Sequence, residues 1–190
     1  IAGAYGVFAR QGVYFGQEIS DAFQPVTILK MEGNDGSPWL DWGMPQAKPV
    51  LTPGLAYLMN HALSDESARW PSLGQPNVTE IGRPAGLKLG QTQDALDTWA
   101  IGYSPARVVA VWTGARQASD LAPRIPAVLW NALMQMASQN LPRDGWAVPA
   151  DVSVINVCDP SGMLPTPDCP NLVSEVFLNG NEPLQADNMY

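Results

Sequence analysis

The sequence predicts a mixed α/β (α+β) fold in which helices flank an antiparallel sheet. Three short apolar segments, at residues 86–92, 98–103 and 108–113, are joined by tight links, which is typical of an antiparallel meander. Residues 126–139 follow with apolar side chains at helical spacing. Such a segment predicts a helix that covers one face of the sheet.

Length and charge limit the classes of protein that this chain fits. Its 190 residues, 46% of them hydrophobic, suffice for one core, with residues 146–190 as a proline-rich tail. The formal net charge of -8 would repel a phosphate backbone, so nucleic acid is not an expected partner. No apolar run approaches the ~18 residues that a membrane-spanning helix needs.

Before the meander, the pattern predicts two helices and two short strands. Residues 2–9 have helical spacing and Gly12 follows as a stop signal, whereas residues 13–15 and 26–31 are typical of strands. A turn signal covers residues 32–36, and residues 37–49 are predicted to be loop.

The second helix is predicted to begin at Thr52, whose hydroxyl can cap the helix while Pro53 takes the first helical position. Its predicted apolar stripe consists of Leu55, Leu58, Met59 and Ala62. The stripe predicted for the later helix consists of Val128, Leu129, Leu133, Met136 and Ala137. Residues 65–84 are predicted to form a long connection, and residues 152–157 and 173–178 to be strands of the tail.

The meander also carries a family resemblance. Residues 82–94, 97–105 and 111–114 have the sequences GRPAGLKLGQTQD, DTWAIGYSP and VWTG. Their order and spacing resemble class A penicillin-binding proteins, in which a Lys-Thr-Gly-Thr strand precedes an Asp-x-Trp-Phe-x-Gly-Tyr-x-Pro hairpin and a Val-Trp-x-Gly strand. Residues 2–12, 52–63 and 158–170 are similar to further segments of that family, so the resemblance spans nearly the whole chain.

The resemblance implies a partial β-lactamase/transpeptidase-like fold, with residues 1–145 as the carboxy-terminal portion of a transpeptidase domain. It implies a peptidoglycan D,D-transpeptidase at the extracytoplasmic face of a bacterial membrane, whose partners are stem peptides and β-lactams. Class A relatives also carry an amino-terminal membrane anchor and a glycosyltransferase domain. No cofactor is implied. Without the rest of the transpeptidase domain a sheet face or edge would be bare, so self-association is expected.

The resemblance assigns substrate binding to four consecutive residues. Lys88 would bring positive charge to the cleft, Gly90 would let the substrate backbone lie close, and the backbone N–H of Gln91 would join the oxyanion hole. Leu89 and Gln91 stand where the family has hydroxyl side chains. Each lost hydrogen bond to a charged group costs ~1.5–3 kcal/mol, which predicts weak penicillin binding.

The chain itself lacks a nucleophile. Enzymes of this kind acylate a serine in an S-x-x-K motif, and no serine here has Lys three positions later. Ser138-Gln139-Asn140 matches the second motif, S-x-N, but follows the lysine strand instead of preceding it, so the match is interpreted as chance. No residue is therefore assigned as catalytic. A non-catalytic, transpeptidase-like module that binds cell-wall peptides or protein partners is the alternative function.

The remaining candidate residues have structural interpretations. Cys158 and Cys169 lie in one loop without the further Cys or His that a metal site needs, so no metal is predicted. A disulfide is favoured by the extracytoplasmic setting, with two free thiols as the alternative. Trp99, Tyr103 and Trp112 could form a sugar-stacking platform, but core and cross-strand packing is the favoured interpretation. His61, the only histidine, is predicted to be a helix residue without catalytic role.

Overall fold

A computed structural model of the chain describes residues 1–117 and 124–189 and has the mixed α/β architecture that the sequence predicts. The helices are α1 (Ala2–Ala9), α2 (Pro53–Ser64), α3 (Trp70–Leu73) and α4 (Ile125–Ala137). The strands are β1 (Val13–Ile19), β2 (Ala22–Gln24), β3 (Lys30–Glu32), β4 (Pro38–Asp41), β5 (Gln46–Pro49), β6 (Gly86–Gln91), β7 (Asp97–Tyr103), β8 (Val108–Gly114), β9 (Val152–Asp159) and β10 (Asn171–Leu178).

The central sheet is the predicted antiparallel meander, in the order β6-β7-β8. Lys88 of β6 lies opposite Ile101 of β7, and Ala100 of β7 lies opposite Val111 of β8. Neighbouring side chains along a strand point to opposite faces, so this register places Leu87 and Lys88 on different faces of the sheet.

Helix α4 covers one face of the central sheet, but through a different stripe from the predicted one. Trp130 and Met134 are fully buried against the sheet, and a Cβ atom at Gly102 would come within 2.4 Å of the Trp130 ring. Val128, Leu133 and Met136 of the predicted stripe are about half exposed or more. Helix α4 is apolar on both sides. The side that packs on the sheet is the one that carries Trp130, because the Trp130 indole fits the space beside Gly102.

Helices α1 and α2 pack on the opposite face. Thr52 caps α2 as predicted, since its hydroxyl accepts a hydrogen bond of 3.3 Å from the Leu55 N–H. The predicted apolar stripe of α2 is wrong, because Leu55 and Met59 are exposed whereas Gly54, Ala56 and Asn60 are buried. Small residues let α2 approach its neighbours closely, and the hydrogen bonds of Asn60 satisfy its buried amide.

The strands before α2 correct two predictions. Residues 26–31 are not a strand apart from the start of β3, and residues 37–49 contain β4 and β5 instead of a loop. The prolines of that segment favoured the loop interpretation, but Pro38 and Pro49 lie in β4 and β5, which each pair with a single strand. Proline is tolerated on such edge strands, because the N–H that it lacks would point away from the paired strand and would make no hydrogen bond in the sheet. The predicted turn at 32–36 does connect β3 to β4.

The tail is a two-stranded antiparallel ribbon of β9 and β10, where the sequence predicts two strands. A disulfide joins Cys158 to Cys169, whose Cα atoms are 5.8 Å apart. The Asp151 carboxylate accepts a 3.2 Å hydrogen bond from the Gly54 N–H at the start of α2. The tail therefore packs directly against the helical layer, and the division of the chain at residue 145 stays a prediction. Across the part that the structure describes, no helix is long and apolar enough to span a bilayer.

Candidate functional site

The four residues assigned to substrate binding lie on β6, an edge strand of the central sheet. Strand β6 pairs with β7 on one side, and no other described strand pairs with it. Lys88 lies opposite Ile101 and Gly90 lies opposite Trp99. No described strand occupies the other side of β6, and an extended peptide can add to a sheet edge of this kind.

Lys88 and Gly90 share one face of the sheet with a shallow depression of about 290 Å³. Its wall includes Ile1, Tyr5, Lys88, Gly90, Trp99 and Ile101. Lys88 is exposed, and a Cβ atom at Gly90 would touch only Trp99 Cβ, at 3.9 Å. The site thus offers a cation and an uncovered stretch of backbone beside apolar and aromatic surface.

Leu89 and Gln91 have different surroundings. Leu89 is half buried and packs against the core cluster under α4, although it also borders the depression. Gln91 is exposed at the end of β6. The side chain of Leu89 therefore contacts both the core cluster and the depression, whereas that of Gln91 is exposed.

The charge of Lys88 is uncompensated by neighbouring carboxylates. Among residues 1–117 and 124–189, the only ion pair within 4 Å joins Lys30 to Glu32. Lys88 therefore has no ion-pair partner among the described residues, and its ammonium group could pair with a carboxylate.

The aromatic residues divide into a buried and an exposed set. Tyr103 is fully buried, as predicted, and Trp99 packs across the strands on Trp112 with ring centroids 6.4 Å apart. Trp112 is 56% exposed, so its assignment to the core is wrong. Its indole N–H donates to the Asp97 carboxylate at 2.8 Å. The register places the two tryptophans on the Lys88 face of the sheet.

A buried hydrogen-bond chain fixes this sheet to the helices. The Tyr103 hydroxyl donates to Asn60 Oδ1 at 2.8 Å, and Asn60 Nδ2 donates to the Phe8 carbonyl at 2.9 Å. The chain links β7, α2 and α1. Sequence reasoning missed Asn60, because a polar residue between apolar positions gives no sign of burial, and it missed that Tyr5 lines the depression.

Within the described ranges, no three His, Cys, Asp or Glu side chains are grouped so as to hold a metal ion. His61 lies in the last turn of α2, beside Asp65. Burial alone would raise the pKa of the Asp65 carboxyl, but hydrogen bonds from Ser67 and Ala68 together outweigh it and lower that pKa. Ser138 directly follows the last residue of α4 and is fully buried.

The sequence of this chain is similar to those of penicillin-binding proteins. The family described as "Penicillin-binding protein 1A, C-terminal domain" matches residues 148–190. Penicillin-binding protein 1A of Clostridium tetani is 28% identical over 193 residues, which cover 96% of this chain and 23% of that protein. Penicillin-binding protein 1C of Escherichia coli is 26% identical over 193 residues, covering 96% of this chain and 22% of that protein.

The fold agrees as well. The crystal structure of penicillin-binding protein 1A from Haemophilus influenzae superposes with a TM-score of 0.77 at 20% identity, over 98% of this chain and 32% of that one. The matches place the similarity in the carboxy-terminal part of class A penicillin-binding proteins. The chain spans about a quarter or less of the length of the curated penicillin-binding proteins it matches.

The penicillin-binding protein match also accounts for the tail. Residues 148–190, the part matched by the C-terminal domain family, hold β9, β10 and the disulfide loop. Asp151 attaches this domain to α2, and α2 in turn is bonded through Asn60 to β7 of the central sheet. The tail and the β6 edge are thereby parts of one packed structure.

Proposed function

We propose that this chain forms one wall of the acylation site of a peptidoglycan D,D-transpeptidase. In the intact protein a serine outside this chain attacks the D-Ala-D-Ala peptide, forms an acyl-enzyme and passes the acyl group to an amine on another strand. The chain alone is inactive, because it holds no S-x-x-K nucleophile. The observation that carries the proposal is Lys88, a cation without a carboxylate partner among the described residues, beside Gly90 on an open strand edge.

Each residue of β6 has a separate task in this proposal. Lys88 attracts the carboxylate of the stem peptide or of a β-lactam, and Gly90 leaves room for the substrate backbone. The Gln91 N–H donates to the oxygen that becomes negatively charged when the serine attacks. The substrate then lies along the open edge of β6, at the extracytoplasmic face of the cell membrane.

Leu89 and Gln91 weaken the binding of β-lactams in this account. Hydroxyl side chains at these positions would each donate to the ligand carboxylate, and losing one such bond costs about 1.5–3 kcal/mol, which is roughly 10- to 150-fold in affinity. The variant Leu89→Thr/Gln91→Thr should therefore raise the rate of acylation by a fluorescent penicillin. The matched control Val154→Thr changes an exposed apolar residue of β9, in the tail.

The decisive experiment measures the acylation rate of the intact protein with a fluorescent penicillin. Lys88→Ala should lower that rate about 10- to 150-fold, since one charge-assisted interaction is lost. Lys30→Ala, which removes an exposed lysine from β3, should leave the rate unchanged. Wild-type acylation by Lys88→Ala would show that β6 takes no part in the site.

The alternative function is a non-catalytic module that binds cell-wall peptides or protein partners. The same two residues, Leu89 and Gln91, favour it, because they depart from the transpeptidase pattern at the positions that contact the ligand. The intact protein distinguishes the two functions. Under the alternative, it binds stem peptides in a Lys88-dependent manner, yet neither the wild type nor Leu89→Thr/Gln91→Thr is acylated. An S-x-x-K and an S-x-N motif encoded upstream of Ile1 would favour the enzyme.

A further inference from the structure

A second concavity lies away from the β6 edge, between α1, β1 and the turn that joins β7 to β8. Its volume is about 370 Å³, and it shares no lining residue with the depression beside Lys88. We call it the arginine groove; its argued members are Gly3, Gly6, Arg10, Phe15, Pro105 and Arg107. A volume of this size lies at the lower end of the range for ligand clefts, which is room for a single apolar side chain of a peptide.

Two arginines border the arginine groove without a carboxylate partner among the described residues. The Arg10 guanidinium lies 4.7 Å from the centroid of the Phe15 ring, and Arg107 donates from Nη1 to the Ala106 carbonyl at 2.9 Å. These contacts fix both side chains while leaving other N–H donors of each guanidinium for a ligand. A held guanidinium pairs with a carboxylate through two parallel hydrogen bonds.

Two glycines of helix α1, Gly3 in its first turn and Gly6 in its interior, line the arginine groove. Glycine in a helix interior is unfavourable relative to alanine, and neither position requires it sterically. A Cβ atom at Gly3 would meet nothing closer than Tyr14 Cε2 at 3.8 Å, and one at Gly6 nothing closer than Val108 Cγ2 at 4.0 Å. Packing of the chain therefore does not explain these glycines, whereas room for a ligand side chain lying against α1 does.

We propose that the arginine groove binds an extended acidic segment of a partner protein. One apolar side chain of that segment enters the groove over Gly3 and Gly6, and carboxylates on either side of it pair with Arg10 and Arg107. An anionic lipid surface fits less well. The chain carries a net charge of -8, which opposes approach to such a surface, whereas a peptide meets only the local charge of the two arginines.

The test is fluorescence anisotropy of the intact protein with labelled peptides in which a leucine lies between two aspartates at different spacings. Each peptide has a counterpart with asparagine in place of both aspartates. At least one spacing should bind, and its asparagine counterpart should bind about tenfold or more weakly, as expected for loss of charge-assisted hydrogen bonds. Arg10→Gln and Arg107→Gln should each weaken binding about tenfold, whereas Arg143→Gln, which changes an exposed arginine outside the groove, should not.

The glycines supply a variant that separates binding from folding. Gly3→Ala/Gly6→Ala should keep or raise the melting temperature, because alanine favours the helix, yet should lower peptide affinity by narrowing the groove. The proposal is overturned if no spacing binds, if asparagine peptides bind equally well, or if the double alanine variant binds like the wild type. Arginine-dependent binding to phosphatidylglycerol vesicles, with no peptide bound, would also overturn it in favour of a membrane contact.

Discussion

The hydrogen bond between Tyr103 and Asn60 is a sensitive point of the structure. Asn60 is 1% exposed, and its Oδ1 receives the Tyr103 hydroxyl at 2.8 Å. Tyr103→Phe keeps the ring but removes that donor, so Asn60 Oδ1 is left buried without its partner. An unsatisfied buried acceptor costs about 1–3 kcal/mol, and we expect Tyr103→Phe to lower the free energy of unfolding by that amount.

Urea denaturation with a spectroscopic readout measures this loss. The variant should unfold at a lower urea concentration, while the dependence of its unfolding free energy on urea concentration stays unchanged. Tyr57→Phe is the matched control, because Tyr57 also lies on this layer, in α2, but its hydroxyl makes no hydrogen bond to the described residues. It should change stability by less than about 0.5 kcal/mol. If both variants unfold at the same urea concentration, Asn60 does not fasten β7 to α2 in the way described.

Three further predictions concern the same scaffold. Burial raises the pKa of the Tyr103 hydroxyl above its usual 10.0, so the folded state keeps a proton that the unfolded state loses. The free energy of unfolding should therefore fall as pH rises above about 10. In Tyr103→Phe, the free energy of unfolding should fall less steeply over that pH range. Gly54→Ala should cost about 1–3 kcal/mol in chemical denaturation, because its Cβ would lie 2.5 Å from the Asp151 carboxylate; unchanged stability would mean that the tail can shift freely. Reducing the Cys158–Cys169 disulfide should destabilise the protein by about 2–4 kcal/mol in calorimetry, and a reductant-insensitive melting temperature would contradict this.

The meander was predictable because two independent signals agree on residues 86–114. Apolar runs with short links indicate an antiparallel sheet, and the spacing of Lys88, Gly90 and Trp99 matches one family. Local signals also located the cap of α2 at Thr52. Where a single residue type determines the local backbone, the sequence is sufficient.

The faces of the helices were not predictable in this way. Helix α4 has apolar residues on two sides, and only the tertiary fit of Trp130 over Gly102 decides which side is buried. Trp112 shows the opposite error, since its indole is 56% exposed although its residue type favours burial. Which of these side chains are buried depends on contacts between elements far apart along the chain. The spacing of apolar residues within one helix or strand carries no information about such contacts.

The crystal structure of the intact protein acylated by a β-lactam tests the central claim most directly. The account predicts that the acyl group lies along the open edge of β6, with its carbonyl oxygen about 3 Å from the Gln91 nitrogen and its carboxylate on the side of Lys88. An acylated serine remote from β6, or a β6 edge paired with another strand of the intact protein, would contradict it.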